Sequence, residues 1–268
     1  MHILFKVHPI VDEQIEIISA LVAEEVEGIE EGDDKLLIYC KNEEEKLQHI
    51  KEVLETQELN YEISDIPTTN WNALWESNFQ PILIHDFAAV RAHFHEPIHS
   101  TKHEIIITPK MSFGTGHHAT TYLMMEAMEQ VDFKDKKVFD FGTGTGILAI
   151  LAEKLGASNV LAIDIDTWCI ENTIENIEQN NCSNIEPKLS DQAEQHQLFD
   201  VILANINKNV LLATIPTLFY QLNPNGVILL SGLLENDIED INNLIKNTKK
   251  TSNITITKRN GWVCFKAV

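Results

Sequence analysis

The sequence is poor in basic residues: 20 Lys and Arg against 41 Asp and Glu leave its 268 residues with a net charge of −21. Binding along a phosphate backbone runs on clustered Lys and Arg, so nucleic acid is not an expected partner. No apolar run approaches the ~20 residues that a membrane-spanning helix needs. The opening Met1-His2-Ile3-Leu4-Phe5-Lys6-Val7 lacks the basic-then-apolar order of a secretory signal. Cysteine is scarce as well. Cys40, Cys169, Cys182 and Cys264 are too scattered for a disulfide framework and form no C-x-x-C pair, which argues against a zinc knuckle. A reducing, cytoplasmic setting is therefore expected; the chain is also expected to be a monomer. Hydrophobic residues at 44% exclude a disordered or low-complexity chain.

The acidic excess is uneven. Residues 1–66 hold 18 Asp and Glu and 5 Lys, a net of −13, whereas residues 67–268 hold 23 and 15, a net of −8. Either this is a solvated surface that keeps the chain soluble, or it is an acidic face that steers a basic partner.

Periodicity divides the chain the same way. Phe5-Lys6-Val7 reads as a strand, and 12–26 as a helix with Ile15, Ile18, Leu21, Val22 and Val26 at three- and four-residue steps. Gly32-Asp33-Asp34 is a turn between Gly28–Glu31 and the strand Leu36-Leu37-Ile38-Tyr39. A helix over 43–57 presents Leu47, Ile50, Val53 and Leu54 on one face, and Tyr61-Glu62-Ile63 closes a βαββαβ order, the ferredoxin-like pattern. Residues 67–80 form an amphipathic connector in which Trp71 and Trp75 share a helix face, as packing residues or as a lid.

From residue 80 onward come the β-rich segments Ile82–Ile84, Ala88–Phe94 and Glu104–Thr108, then a helix from Thr120. Strands at Lys137–Phe141, Asn159–Asp164, Phe199–Ala204 and Val227–Ser231 then alternate with helices over 146–155, 167–180, 208–221 and 235–247. Such alternation means parallel strands with crossover helices, a doubly wound α/β sheet. Ile254–Lys258 and Trp262–Ala267 flank Asn260-Gly261, a strong signal for an antiparallel hairpin.

Five of only eleven glycines fall between 114 and 146. One group is Phe113-Gly114-Thr115-Gly116. The other, Asp140-Phe141-Gly142-Thr143-Gly144-Thr145-Gly146, sits where a strand hands over to a helix, the place where nucleotides bind in open α/β sheets. A dinucleotide fingerprint wants a small residue five positions after its first glycine, and Ile147 stands there; no phosphate-binding G-x-x-x-x-G-K-[ST] occurs either. Asp164 ends the next strand, where a carboxylate can accept both hydroxyls of a ribose. Asp140, three alternating glycines and Asp164 at consecutive strand ends favour S-adenosylmethionine over a nicotinamide. Asn205, in Ala204-Asn205-Ile206-Asn207, lies at a third strand end, either facing the same crevice or capping the following helix.

These residues resemble the ribosomal protein L11 methyltransferase family over nearly the whole chain. The resemblance rests on Asn70-Trp71 through Phe79-Gln80-Pro81, Met111 to Thr121, Asp140 to Ile150, Ala162 to Asp166, Ala204-Asn205-Ile206, Ser231 to Glu235 and Gly261-Trp262. It implies a seven-stranded methyltransferase sheet ending in the hairpin over 81–268, a linker over 67–80, and a substrate-recognition domain over 1–66. It further implies S-adenosylmethionine as cofactor, touched by Thr121, Gly142, Asp164 and Asn205. The implied substrate is protein L11, methylated on lysine side chains and on its N-terminal amine. Two positions depart from the family pattern: His117 replaces a threonine and Ala119 a proline, which is expected to loosen the start of the helix at Thr120.

For the chemistry, Asn205 and the Phe113 segment are expected to orient the amine without a dedicated base. Seven of the eleven histidines lie between His85 and His118. His93 and His95 are expected on one strand face, but no third ligand follows, so no metal is expected. His117, inside the family-specific stretch, is a candidate modulator of substrate access. The alternatives are a lysine methyltransferase for another protein, a nucleic-acid base methyltransferase and a non-catalytic adenosine-binding adaptor.

Overall fold

A computed structural model of the chain describes residues 2–23, 25–32, 34–66, 80–110, 114–249 and 253–268. Two compact units emerge, Met1–Asn78 and Phe79–Val268. The expected connector helix with Trp71 and Trp75 lies outside the described residues, as does Phe113.

The first unit runs β1 (His2–Val7), helix Asp12–Leu21, β2 (Val26–Gly32), β3 (Lys35–Lys41), helix Glu44–Thr56 and β4 (Tyr61–Ile66). Its strands are all antiparallel in the order β2-β3-β1-β4. Alternate residues of β1 (Ile3, Phe5, Val7) and β3 (Leu36, Ile38, Cys40) point inward, where Ile18, Ile50 and Leu54 of the helices cover them. The first helix stops at Leu21 rather than reaching Val26, because Val26 is drawn into the ladder opposite Cys40.

The second unit is built on a seven-stranded sheet in the order β10-β9-β8-β11-β12-β14-β13. These strands are β8 (Lys137–Phe141), β9 (Asn159–Asp164), β10 (Ile185–Leu189), β11 (Phe199–Asn205), β12 (Leu222–Leu234), β13 (Ile254–Arg259) and β14 (Trp262–Ala267). Pairing is parallel from β10 to β12 and antiparallel across β14 and β13. The central strands are apolar on both faces because helices cover both. Val138, Val160 and Leu203 face a layer with Leu123, Met124 and Ile150, while Phe139, Leu161 and Ile202 face Ile215, Leu218 and Ile241. Strand β10 is the one sheet strand that periodicity did not predict. Its Pro187 cannot donate to a ladder on both sides, and the strand sits at an edge where it need pair only with β9.

Ahead of this sheet lies a smaller one of β5 (Ile82–Ile84), β6 (Ala88–Arg91) and β7 (His103–Ile106). The expected strand Ala88–Phe94 stops at Arg91, so His93 and His95 occupy a turn rather than a strand face. The cause is Arg91, a buried guanidinium. It grips both carboxylate oxygens of Glu104 at 2.9 and 3.1 Å and donates to the carbonyls of Ala92 and His95, which bends the chain away. Those hydrogen bonds hold the Glu104 carboxyl below its ordinary range. Among the described residues no group of three or more His, Cys, Asp or Glu is arranged to hold a metal, and no helix is long and apolar enough to cross a membrane.

Candidate functional site

The carboxyl ends of β8, β9 and β11 open into one cleft of about 1010 Å³. Thr121, Gly142, Asp164 and Asn205 all line it. Strand register explains the convergence: Ala204 pairs with Phe141 and Phe141 with Ile163, so the next residue of each strand reaches the same rim.

After Phe141 the chain turns sharply. The N–H groups of Gly142 and Thr143 both donate to the Ile163 carbonyl at 2.9 Å, which fastens the loop to the end of β9. Gly142 has φ +81°, and a Cβ there would fall 2.3 Å from Ile206 Cγ2. Only glycine lets the backbone approach the cleft this closely. Asp164 braces the loop from the other side: Oδ2 accepts the Gly144 N–H at 2.9 Å and Oδ1 accepts the Asp166 N–H at 3.1 Å. Each oxygen keeps a second lone pair for a ligand hydroxyl.

Asp140 lies beneath the loop, fully buried. Its Oδ2 accepts the Thr143 hydroxyl at 2.6 Å. Burial pushes its carboxyl up to about 7, with the charge of Asp164 adding to the rise and the Thr143 hydroxyl opposing it.

Asn205 does not cap the following helix; Asn207 does, accepting the Val210 N–H at 3.1 Å through Oδ1. Asn205 Nδ2 donates to Thr121 Oγ1 at 3.3 Å, which links β11 to the first turn of helix Ala119–Met128. Its Oδ1 is buried and unpartnered. A buried acceptor without a donor is costly, and a ligand N–H at the cleft would satisfy it.

Helix Ala119–Met128 starts firmly although Ala119 replaces the family's proline. His118 caps it, Nδ1 accepting from the Thr120 N–H at 3.3 Å and lying 2.8 Å from Thr120 Oγ1. The His118 ring rests edge-on against Trp262, with centroids 4.6 Å apart, and both residues line the cleft. His117 is exposed. Its Nε2 donates to the Gln80 carbonyl at 3.0 Å, which leaves Nδ1 to accept the Thr115 hydroxyl at 3.2 Å.

The remaining walls are largely apolar: Phe141, Ile147, Leu148, Ile206, Val210 and Trp262. Ile165 and Trp168 stand at the rim, 73% and 69% exposed. Trp168, which the sequence pattern did not single out, lines the cleft as well. The geometry suits a nucleoside with a polar tail: a carboxylate for a diol, close backbone at the glycine turn, apolar walls and a buried amide acceptor.

The chain matches the profile of the family described as ribosomal protein L11 methyltransferase (PrmA) over residues 9–268. A ribosomal protein L11 methyltransferase of Phocaeicola vulgatus is 38% identical over 247 residues, which cover 89% of this chain and 88% of that protein. One from Chlorobaculum parvum is 41% identical over 252 residues, covering 89% and 87%. Among solved structures, a ribosomal protein L11 methylase from Lactobacillus delbrueckii subsp. bulgaricus superposes with a TM-score of 0.65 at 29% identity, covering 71% of this chain and 98% of that one.

Proposed function

The chain belongs to the ribosomal protein L11 methyltransferase family, enzymes that use S-adenosylmethionine, and from that premise we propose that it methylates lysine side chains and the N-terminal amine of protein L11. The observation that carries this reading is the buried, unpartnered Oδ1 of Asn205 beside Thr121 in a cleft also lined by Gly142 and Asp164.

S-adenosylmethionine supplies an electrophilic methyl group on a sulfonium. Asp164 would take the ribose hydroxyls, the Gly142 turn would leave room for the donor at the backbone, and Thr121 and Asn205 would hold its amino-acid end and the incoming amine. A lysine has a pKa near 10.4, so presenting it neutral at pH 7 costs about 4–5 kcal/mol at about 1.36 kcal/mol per pKa unit. Desolvation against Phe141, Ile206 and Trp262 drives the amine towards its neutral form, and positioning by Asn205 supplies much of the remainder. No side chain is assigned as a general base. Replacing Asn205 by alanine is expected to lower kcat more than it raises the KM for the donor.

Residues 1–66 serve as the substrate-recognition domain, their net −13 suited to a basic ribosomal protein. The enzyme acts in the cytoplasm, as a monomer and without binding nucleic acid. Radiolabelled donor and purified L11 test the reading: label is expected in L11 with the full chain, and its loss with residues 1–66 removed while donor affinity persists. No label with the full chain would point to the adaptor alternative.

A further inference from the structure

Thr145 lies in the glycine loop and is completely buried, yet its hydroxyl and its carbonyl are both committed to other parts of the chain. Its hydroxyl donates to the Gly114 carbonyl at 2.6 Å, and its own carbonyl accepts from Asn176 Nδ2 at 2.8 Å. Asn176 is also fully buried, on helix Thr167–Gln179, and its Oδ1 accepts the Thr108 N–H at 2.8 Å. Thr108 is gripped three times more: Asn172 Nδ2 donates to its carbonyl, Gln179 Nε2 to its hydroxyl, and that hydroxyl donates to Glu175. The chain at 108 and the chain at 114 are thus both tied to one residue of the donor loop.

Two features set this apart from packing. Asn172 and Asn176 on the helix and Asn180 at its C-terminal cap recur every fourth residue along a buried stripe, where apolar side chains would fill the space without needing partners. Gly114 has φ +106°, and a Cβ there would lie 2.9 Å from Thr145 Oγ1, so its backbone approach is fitted to that hydroxyl. Gly114 and Lys110 both line the cleft as well.

We infer that Thr145, through Gly114 and Asn176, is a positioning residue that locks the cleft wall carrying Lys110 and Gly114 to the donor loop, so that donor occupancy and protein-substrate binding strengthen each other. The inference rests on the methylation of L11 proposed above. Buried hydrogen bonds are strong in a low dielectric and reinforce one another in a network, which suits them to transmit order between the donor loop and the residues tied to it. Linkage makes the effect reciprocal: whatever factor the donor adds to substrate affinity, the substrate adds to donor affinity.

The test is calorimetric titration of L11 into the full-length enzyme, with and without saturating S-adenosylhomocysteine. The native enzyme is expected to bind L11 about 5–150-fold more tightly with the cofactor product present, the usual span of such couplings. Thr145→Val keeps the shape but removes the hydroxyl, and the ratio is expected to fall to about one; Thr145→Ser restores the hydroxyl and the ratio. A purely structural threonine would lower stability without changing the ratio. Should Thr145→Val not fold, the native ratio still decides: a value of one overturns the inference, as does a Thr145→Val ratio equal to the native. Radiolabel in L11 from the native enzyme separates the two claims. No label sinks the substrate reading together with this inference, whereas label with a ratio of one sinks this inference alone.

Discussion

Replacing Asp140 by asparagine probes the electrostatics beneath the donor loop. The carboxyl is fully buried, held by the Thr143 hydroxyl at 2.6 Å, and its pKa stands at about 7 against 3.8 for an exposed aspartate. Between those values the folded chain keeps a proton that the unfolded chain has released. Stability therefore falls as pH rises from about 4 to about 7, at about 1.36 kcal/mol per unit, and levels off above. Asp140→Asn has no such titration. Two of the three units between pH 5 and pH 8 lie on the slope, so the variant is expected to gain about 2–3 kcal/mol on the native chain across that interval. Urea denaturation followed by circular dichroism at each pH reads the difference, because the titrating groups remote from Asp140 cancel between the two proteins. Parallel stability curves, or an advantage that grows towards acid, would refute the burial of an uncompensated carboxyl.

Asp164→Ala is expected to weaken donor binding by about 1.5–3 kcal/mol, the size of a lost hydrogen bond to a charged group, and calorimetry with S-adenosylhomocysteine should register it. An unchanged affinity removes Asp164 from the site. Arg91→Ala strands Glu104 and unties the turn at Ala92 and His95, so the thermal midpoint should drop in line with a loss of about 3 kcal/mol. Burial pushes the Cys264 thiol to about 12 and Cys182 to about 11, while Cys169 lines the cleft. Alkylation mapped by mass spectrometry should therefore reach Cys169 first, and S-adenosylhomocysteine should slow it.

Much of the second unit was legible because its signals are local. Strands Lys137–Phe141 and Asn159–Asp164 were matched to the residue, since a strand buried on both faces reads as a nearly continuous apolar run, broken in the first only by Asp140. The glycine loop and the strand-end residues Asp164 and Asn205 were readable for the same reason. Three things were not. Strand β10 hides behind Pro187, a residue that is tolerable only because the position is an edge. The turn at His93 and His95 depends on Arg91 reaching Glu104, thirteen residues away, which no local period encodes. The amide stripe of Asn172, Asn176 and Asn180 looks like a solvated helix face, and only the packing of residues 106–108 against it reverses that reading.

Strand β14 follows β13 in the chain yet lies inside it in the sheet, hydrogen-bonded on both sides. A ribosome delivers the polypeptide in order, so the sheet stays open along β12 until residues 262–267 have emerged. Until then the His118 ring has no indole to rest against, and the cleft lacks the wall that Trp262 provides. The donor loop is made more than a hundred residues earlier. The outer wall of the cleft is therefore completed long after its floor, since the two are drawn from segments more than a hundred residues apart.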